Sequence, residues 1–228
     1  MPTLIAASGT ARIRVAPDRA TLHIAIRTTD KNSLRAAARV NAPVERDVMA
    51  AVESAGVPRS RISTSGYDTG RERVYENEKW VDGDYYVDHV LVVEVDDVEQ
   101  VGAVIAAARD AGATRVAGVH FWLSREEETR EQATRQAGAQ ALARARTLAE
   151  SVGATLGHVV RLGTPEALAA LGSRRAAGDG YGMVAREMVL RDTDVSDLKL
   201  EPLILPVPIT VSVVVHGAWE IAAPSGGA

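Results

Sequence analysis

The sequence predicts an α+β fold, mostly antiparallel β-sheet with three main helices packed on one face, and three observations carry that prediction. Runs of alternating apolar and polar residues recur along the chain with the period of a half-buried strand. Three longer stretches instead place apolar or small residues three and four apart, which is one face of a helix. The strand-like runs come mostly in consecutive pairs separated by turn residues, a pattern that favours antiparallel pairing over parallel βαβ units.

The first pair opens the chain. Ala11, Ile13 and Val15 alternate with Thr10, Arg12 and Arg14, and Ala20, Leu22, Ile24 and Ile26 alternate with Thr21, His23, Ala25 and Arg27. Between them stand Pro17 and Asp18. Proline fixes φ for the first corner of a turn, and aspartate bonds back to the local backbone, so these residues predict a tight hairpin corner. The first helix follows, with Leu34, Ala37, Ala38, Asn41, Val44, Val48, Val52 and Ala55 on one face and Gly56 at its exit. Pro43 lies inside that pattern and predicts a kink or a late helix start.

Residues 62–74 and 85–95 then predict two long strands, with Asn77, Asp82 and Gly83 marking the loop between them. The second helix has Asp97 as cap, Gln100 three residues on, and Val98, Val101, Ile105 and Ala108 inward. After Gly112 comes a strand with Val119, Phe121 and Leu123 on its buried face. The third helix is predicted to open on a Ser124/Glu127 capping box, to turn Ala133, Ala137, Ala141, Ala145, Leu148 and Val152 inward, and to end at Gly153. The three helix exits share a glycine, which fits either an ancient duplication or the ordinary preference of helix exits for that residue. Strands at 155–164 and 207–215 complete the domain and are expected to pair.

The hexapeptide Val15-Ala16-Pro17-Asp18-Arg19-Ala20, followed by this order of elements, resembles the SIMPL-domain family of bacterial proteins. That family is a domain of unknown function whose members are often described as periplasmic or immunogenic proteins. The resemblance covers roughly residues 5–164 and 205–221. It implies a homo-oligomeric assembly, ring-shaped or hollow, and a stress-related role; it implies no reaction, because the family has no established chemistry.

Composition narrows the function classes. An apolar fraction of 46% and a charged fraction of 25% are those of an ordinary soluble globular protein. With a net charge of −4, scattered arginines and a single phenylalanine, the chain offers neither the basic field nor the stacking surface of a nucleic-acid binder. It has no cysteine, which removes thiolate catalysis, disulfides and cysteine-ligated zinc. The apolar stretch 202–215 carries prolines and alternates in phase, so no transmembrane segment is expected. Met1-Pro2-Thr3 runs straight into strand-like sequence without a basic n-region or apolar core, from which a cytoplasmic location is expected even though many relatives are exported.

No motif assigns a reaction, and the expectation is a protein that is not an enzyme and carries no catalytic residue, cofactor or metal. His23, His89, His120, His158 and His216 all fall in predicted strands, too scattered in phase for a metal cluster. Asp192, Asp194 and Asp197 suggest a calcium loop, but its glycine and glutamate positions hold Asp197 and Leu203. The glycines 178, 180 and 182 neither follow a strand nor open a helix as a dinucleotide site requires. Ser63, Thr64 and Ser65 lie on a strand with no nucleophile-elbow pattern, and Asp82 and Asp84 read as solvated acids flanking a turn.

The candidate interface is the tip of the 62–95 hairpin, where Trp80, Tyr85 and Tyr86 have no core of their own to join. Strands of about twelve residues reach roughly 40 Å, so the hairpin either bends over its own helices or projects to a neighbour. Residues 165–204 break the regular pattern and read as a flexible insertion within a single domain spanning 1–228. Two functions follow as expectations: a non-catalytic subunit of a homo-oligomer, or a small-molecule binding module gated by the 165–204 insertion, with its ligand unknown.

Overall fold

The computed structural model describes residues 2–76, 78–172 and 203–222. The order of elements is β1 (Thr3–Val15), β2 (Arg19–Asp30), α1 (Leu34–Ser54), β3 (Ile62–Glu76), β4 (Lys79–Val95), α2 (Val101–Asp110), β5 (Arg115–Trp122), α3 (Glu126–Ser151), β6 (Thr155–Gly163), α4 (Pro165–Gly172) and β7 (Ile209–Ala222). All the sheet pairing is antiparallel and one face of each sheet carries the apolar side chains, so the fold is α+β as the alternation predicts. The calcium-like aspartates, glycines 178–182 and residues 173–202 of the expected insertion lie outside the described residues.

The chain divides into two compact units. One holds β1, α3, β6, α4 and β7, its sheet ordered β1-β7-β6. Strand β7 is central and pairs with β1 from Thr3↔Ile221 to Val15↔Ile209. Helix α3 lies on this sheet along a stripe of buried alanines, 133, 137, 141, 145 and 149. Small side chains at every fourth position let the helix backbone come close to the strands. Two side chains of α3 also satisfy the outward backbone of edge strand β1: Thr10 N–H donates to Gln140 Oε1 at 2.6 Å, and Arg144 Nη1 donates to the Ser8 carbonyl at 2.8 Å.

The other unit has the sheet β3-β4-β2-β5 with α1 and α2. Its core joins Leu22, Ile24 and Ile26 of β2 and Leu91, Val93 and Val95 of β4 to Val48 and Val52 of α1 and Val101, Val104 and Ile105 of α2. Burial of these side chains, each worth about 1.5–3 kcal/mol, is what holds the unit together. Buried Asn41 is tolerated in α1 because its amide donates to the Ile26 carbonyl.

Four expectations change. Strands β1 and β2 do not form a hairpin; they sit in different sheets, and Pro17 and Asp18 link one to the other. The late start considered for α1 does not occur: the helix starts at Leu34 and continues past Pro43, because Ser33 caps it through the Ala36 N–H and its inner stripe is buried on both sides of the proline. The Ser124/Glu127 box does not form: the Ser124 hydroxyl is donated to Asp18, and α3 begins at Glu126 with three glutamates complementing its dipole. Leu148 and Val152 are exposed, and Ala149 continues the buried stripe in their place.

Candidate functional site

The 62–95 hairpin is longer than the pattern predicts. Strand β4 begins at Lys79, paired with Glu76 at the end of β3, and Glu78 beside this reversal takes φ 63°. Asp82 and Gly83 therefore lie in the ladder. Gly83 fits closely there, since a Cβ would sit 3.0 Å from that of Glu72 on β3. Asp82 is no free turn acid either, because Arg71 Nη1 reaches its carboxylate at 3.0 Å.

This register places the three candidate aromatics differently. Trp80 stands next to the reversal, opposite Tyr75, with ring centroids 5.3 Å apart and both side chains exposed, at 61% and 59%. The Arg73 guanidinium lies 5.9 Å from the Trp80 ring. Tyr85 and Tyr86 lie further down the ladder, half-buried and on opposite faces. Arg71 covers the Tyr85 ring at 5.0 Å, and Arg27 covers that of Tyr86 at 4.5 Å. The Tyr86 hydroxyl donates to Asp68 Oδ2 at 2.8 Å, and that bond to a carboxylate raises the phenol above its ordinary value. Arg27 also meets Glu72 at 2.6 Å, and their hydrogen bond raises the guanidinium further. Tyr75 was not expected in this group; the signal for it is the register counted back from the reversal.

A second cluster lies nearer the core. The five histidines fall on β2, β4, β5, β6 and β7, and among the described residues no group of three His, Asp or Glu is placed to hold a metal. His23, His120 and His216 point to the exposed faces of their strands, but His89 is buried. Its Nε2 lies 3.0 Å from Thr64 Oγ1, and its Nδ1 lies 3.2 Å from Glu45 Oε2 of α1. The Glu45 carboxylate lies close to Nδ1 but off the line of a hydrogen bond. Tyr67 packs edge-on against the ring at 5.5 Å. A carboxylate facing Nδ1 favours the proton there, which leaves Nε2 to accept from the Thr64 hydroxyl. Next to Thr64 the ladder skips Ser65, a bulge of the kind that re-aims neighbouring side chains. Sequence pattern did not reveal this cluster, because its members come from α1, β3 and β4.

The family model described as "SIMPL: Protein of unknown function (DUF541)" matches residues 5–219. The chain belongs to the SIMPL family. It is also similar to a "26 kDa periplasmic immunogenic protein" of Brucella abortus (strain S19), at 27% identity over 167 residues, covering 71% of this chain and 66% of that one. A protein of the same name from Brucella melitensis biotype 1 is 26% identical over the same shares. The chain thus spans about two thirds of the length of these curated relatives. Their names overturn the expected cytoplasmic location and point to the periplasm. An export leader is removed during transport, so the first residues of a chain are no guide to compartment. Among the described residues no helix is long and apolar enough to cross a membrane.

Proposed function

We propose that the SIMPL-family chain is a non-catalytic subunit of a homo-oligomer, ring-shaped or hollow, anchored through the β3–β4 hairpin. The observation that carries this reading is the exposed Tyr75–Trp80 pair beside the reversal of a hairpin whose outer strand, β3, is a sheet edge. Exposed aromatics on an open edge suit interface anchoring and strand addition. Tyr85 and Tyr86, clamped by Arg71 and Arg27, would stiffen the arm that carries the anchor. A stress-related role rests on the family resemblance alone. Absolute mass by light scattering tests the assembly. A particle of several chains that shrinks on Trp80→Ala is expected; a mass of 24.2 kDa at every concentration rejects the reading.

A small-molecule binding module is the second reading. The observation favouring it is an apolar groove in the unit built on α3, with a volume near 510 Å³, within the size range of ligand pockets.

A further inference from the structure

We infer that the groove between α3 and β6 binds an anionic amphiphile, a medium-chain acyl group ending in a carboxylate. This deepens the small-molecule reading and rests on it.

The helix wall of the groove is a single stripe, Gly138, Leu142 and Arg146, at steps of four residues. From Gly138 to Arg146 is about 12 Å along the helix axis, the length of a medium-chain tail. The strand wall is Leu156, Val159 and Leu162 of β6, and Trp219 of β7 forms the floor. The indole of Trp219 lies across Gly217, where a Cβ would collide with the ring. Register shifts in the β6–β7 ladder between Leu156 and Val159, and again between Val159 and Arg161, set β6 off a regular ladder along this wall.

Two features point to an occupant. Gly138 lies inside a long helix, where glycine costs about 1 kcal/mol relative to alanine. No neighbour requires it, because a Cβ there would meet nothing within 4 Å. Gly138 lines the groove and leaves that side of it open. At the other end of the stripe is Arg146, exposed, with no carboxylate pairing it among the described residues. Arg144, by contrast, is engaged with the Ser8 carbonyl. An apolar run closed by one free guanidinium is complementary to an apolar tail with one anionic head, which the planar fork of arginine can grip through two oxygens. Tail burial supplies the affinity and the guanidinium selects the head.

The test is calorimetric titration of the full chain with decanoate and with decanol, read in parallel by Trp219 emission in a Trp80→Phe, Trp122→Phe background. Decanoate is expected to bind and to shift the emission. Arg146→Gln should weaken decanoate about tenfold and leave decanol unchanged. Gly138→Leu, which projects a side chain into open space on a helix, should keep the melting temperature and abolish binding of both. If decanol binds the wild type and decanoate does not, the anionic ligand is wrong while the binding-module reading stands. If neither binds, whether because a second copy fills the groove or because it is empty surface, both fail. Decanoate binding unchanged by Arg146→Gln and by Gly138→Leu places the ligand elsewhere and also overturns the inference.

Discussion

The carboxylate of Asp18 takes two hydrogen bonds from a single residue, Ser124: the backbone N–H at 2.8 Å and the side-chain hydroxyl. Residues 17 and 124 bound the main segment of the unit that contains β2 to β5, so the bond ties its first loop to its last. It also explains why the Ser124 hydroxyl does not cap α3.

The Ser124 bonds hold the Asp18 carboxyl below its usual value of 3.8. A depressed carboxylate contributes stability that is present above the unfolded value and lost as pH falls through the folded one. Asp18 is exposed, which keeps the effect small. Asp18→Ala should therefore cost about 1 kcal/mol in urea unfolding at neutral pH. The gap between variant and wild type should close as the pH drops below 3.8. A gap that persists in strong acid would assign the loss to packing instead.

Among the described residues Thr64 is the one aligned hydrogen-bond partner of the buried His89 ring. Thr64→Val keeps the shape and leaves Nε2 unsatisfied, so it should destabilise the protein by about 1 kcal/mol. The low end of the range applies because Thr64 is exposed and water can replace part of the bond. Thr64→Ser should retain wild-type stability. Equal urea midpoints for the valine and serine variants would show that the bond contributes nothing.

Periodicity made most of the elements legible because most strands and helices bury one face, and burial is written locally every second or every fourth residue. It did not make partners legible. The alternation in residues 10–27 is as compatible with β1 pairing β2 as with β1 pairing β7, far along the chain, and the structure adopts the second. Asp82 and Gly83 carry strong turn chemistry, yet a salt bridge to Arg71 and the close approach of Glu72 use them inside a strand. The site residues were legible by type alone. Trp80 stands out as an aromatic without a core, whereas the meeting of Thr64, His89 and Glu45 is a product of sheet register and helix placement.

Trp80 and Tyr75 are exposed and pack chiefly on each other, so their contribution to folding is small. Trp80→Ala should change the melting temperature little, since surface substitutions usually stay within about 0.5 kcal/mol. The same variant should lower the particle mass in light scattering. A large fall in melting temperature at constant mass would place Trp80 in a core contact and remove it from the interface.

Helix α3 and strand β1 approach each other closely at Gly9. A Cβ on Gly9 would fall on the Ala137 carbonyl oxygen and 2.6 Å from the Ala141 nitrogen, both backbone atoms of α3. Neither partner can swing aside. On one side the helix is pressed down by its alanine stripe, and on the other β1 is held through Thr10 to Gln140 and through Ser8 to Arg144. Relief would have to come from moving the helix off the strand, which breaks those two bonds and opens the packing around Ala137 and Val213. Gly9→Ala should accordingly cost about 3 kcal/mol, the upper part of the range for overpacking. Gly66→Ala is the matched control, a strand glycine whose added Cβ meets nothing within 4 Å, and it should stay within about 0.5 kcal/mol of wild type. Urea midpoints for the pair decide the matter. If Gly9→Ala unfolds where Gly66→Ala does, α3 stands further from β1 than this geometry requires, and the alanine stripe is not what sets their spacing.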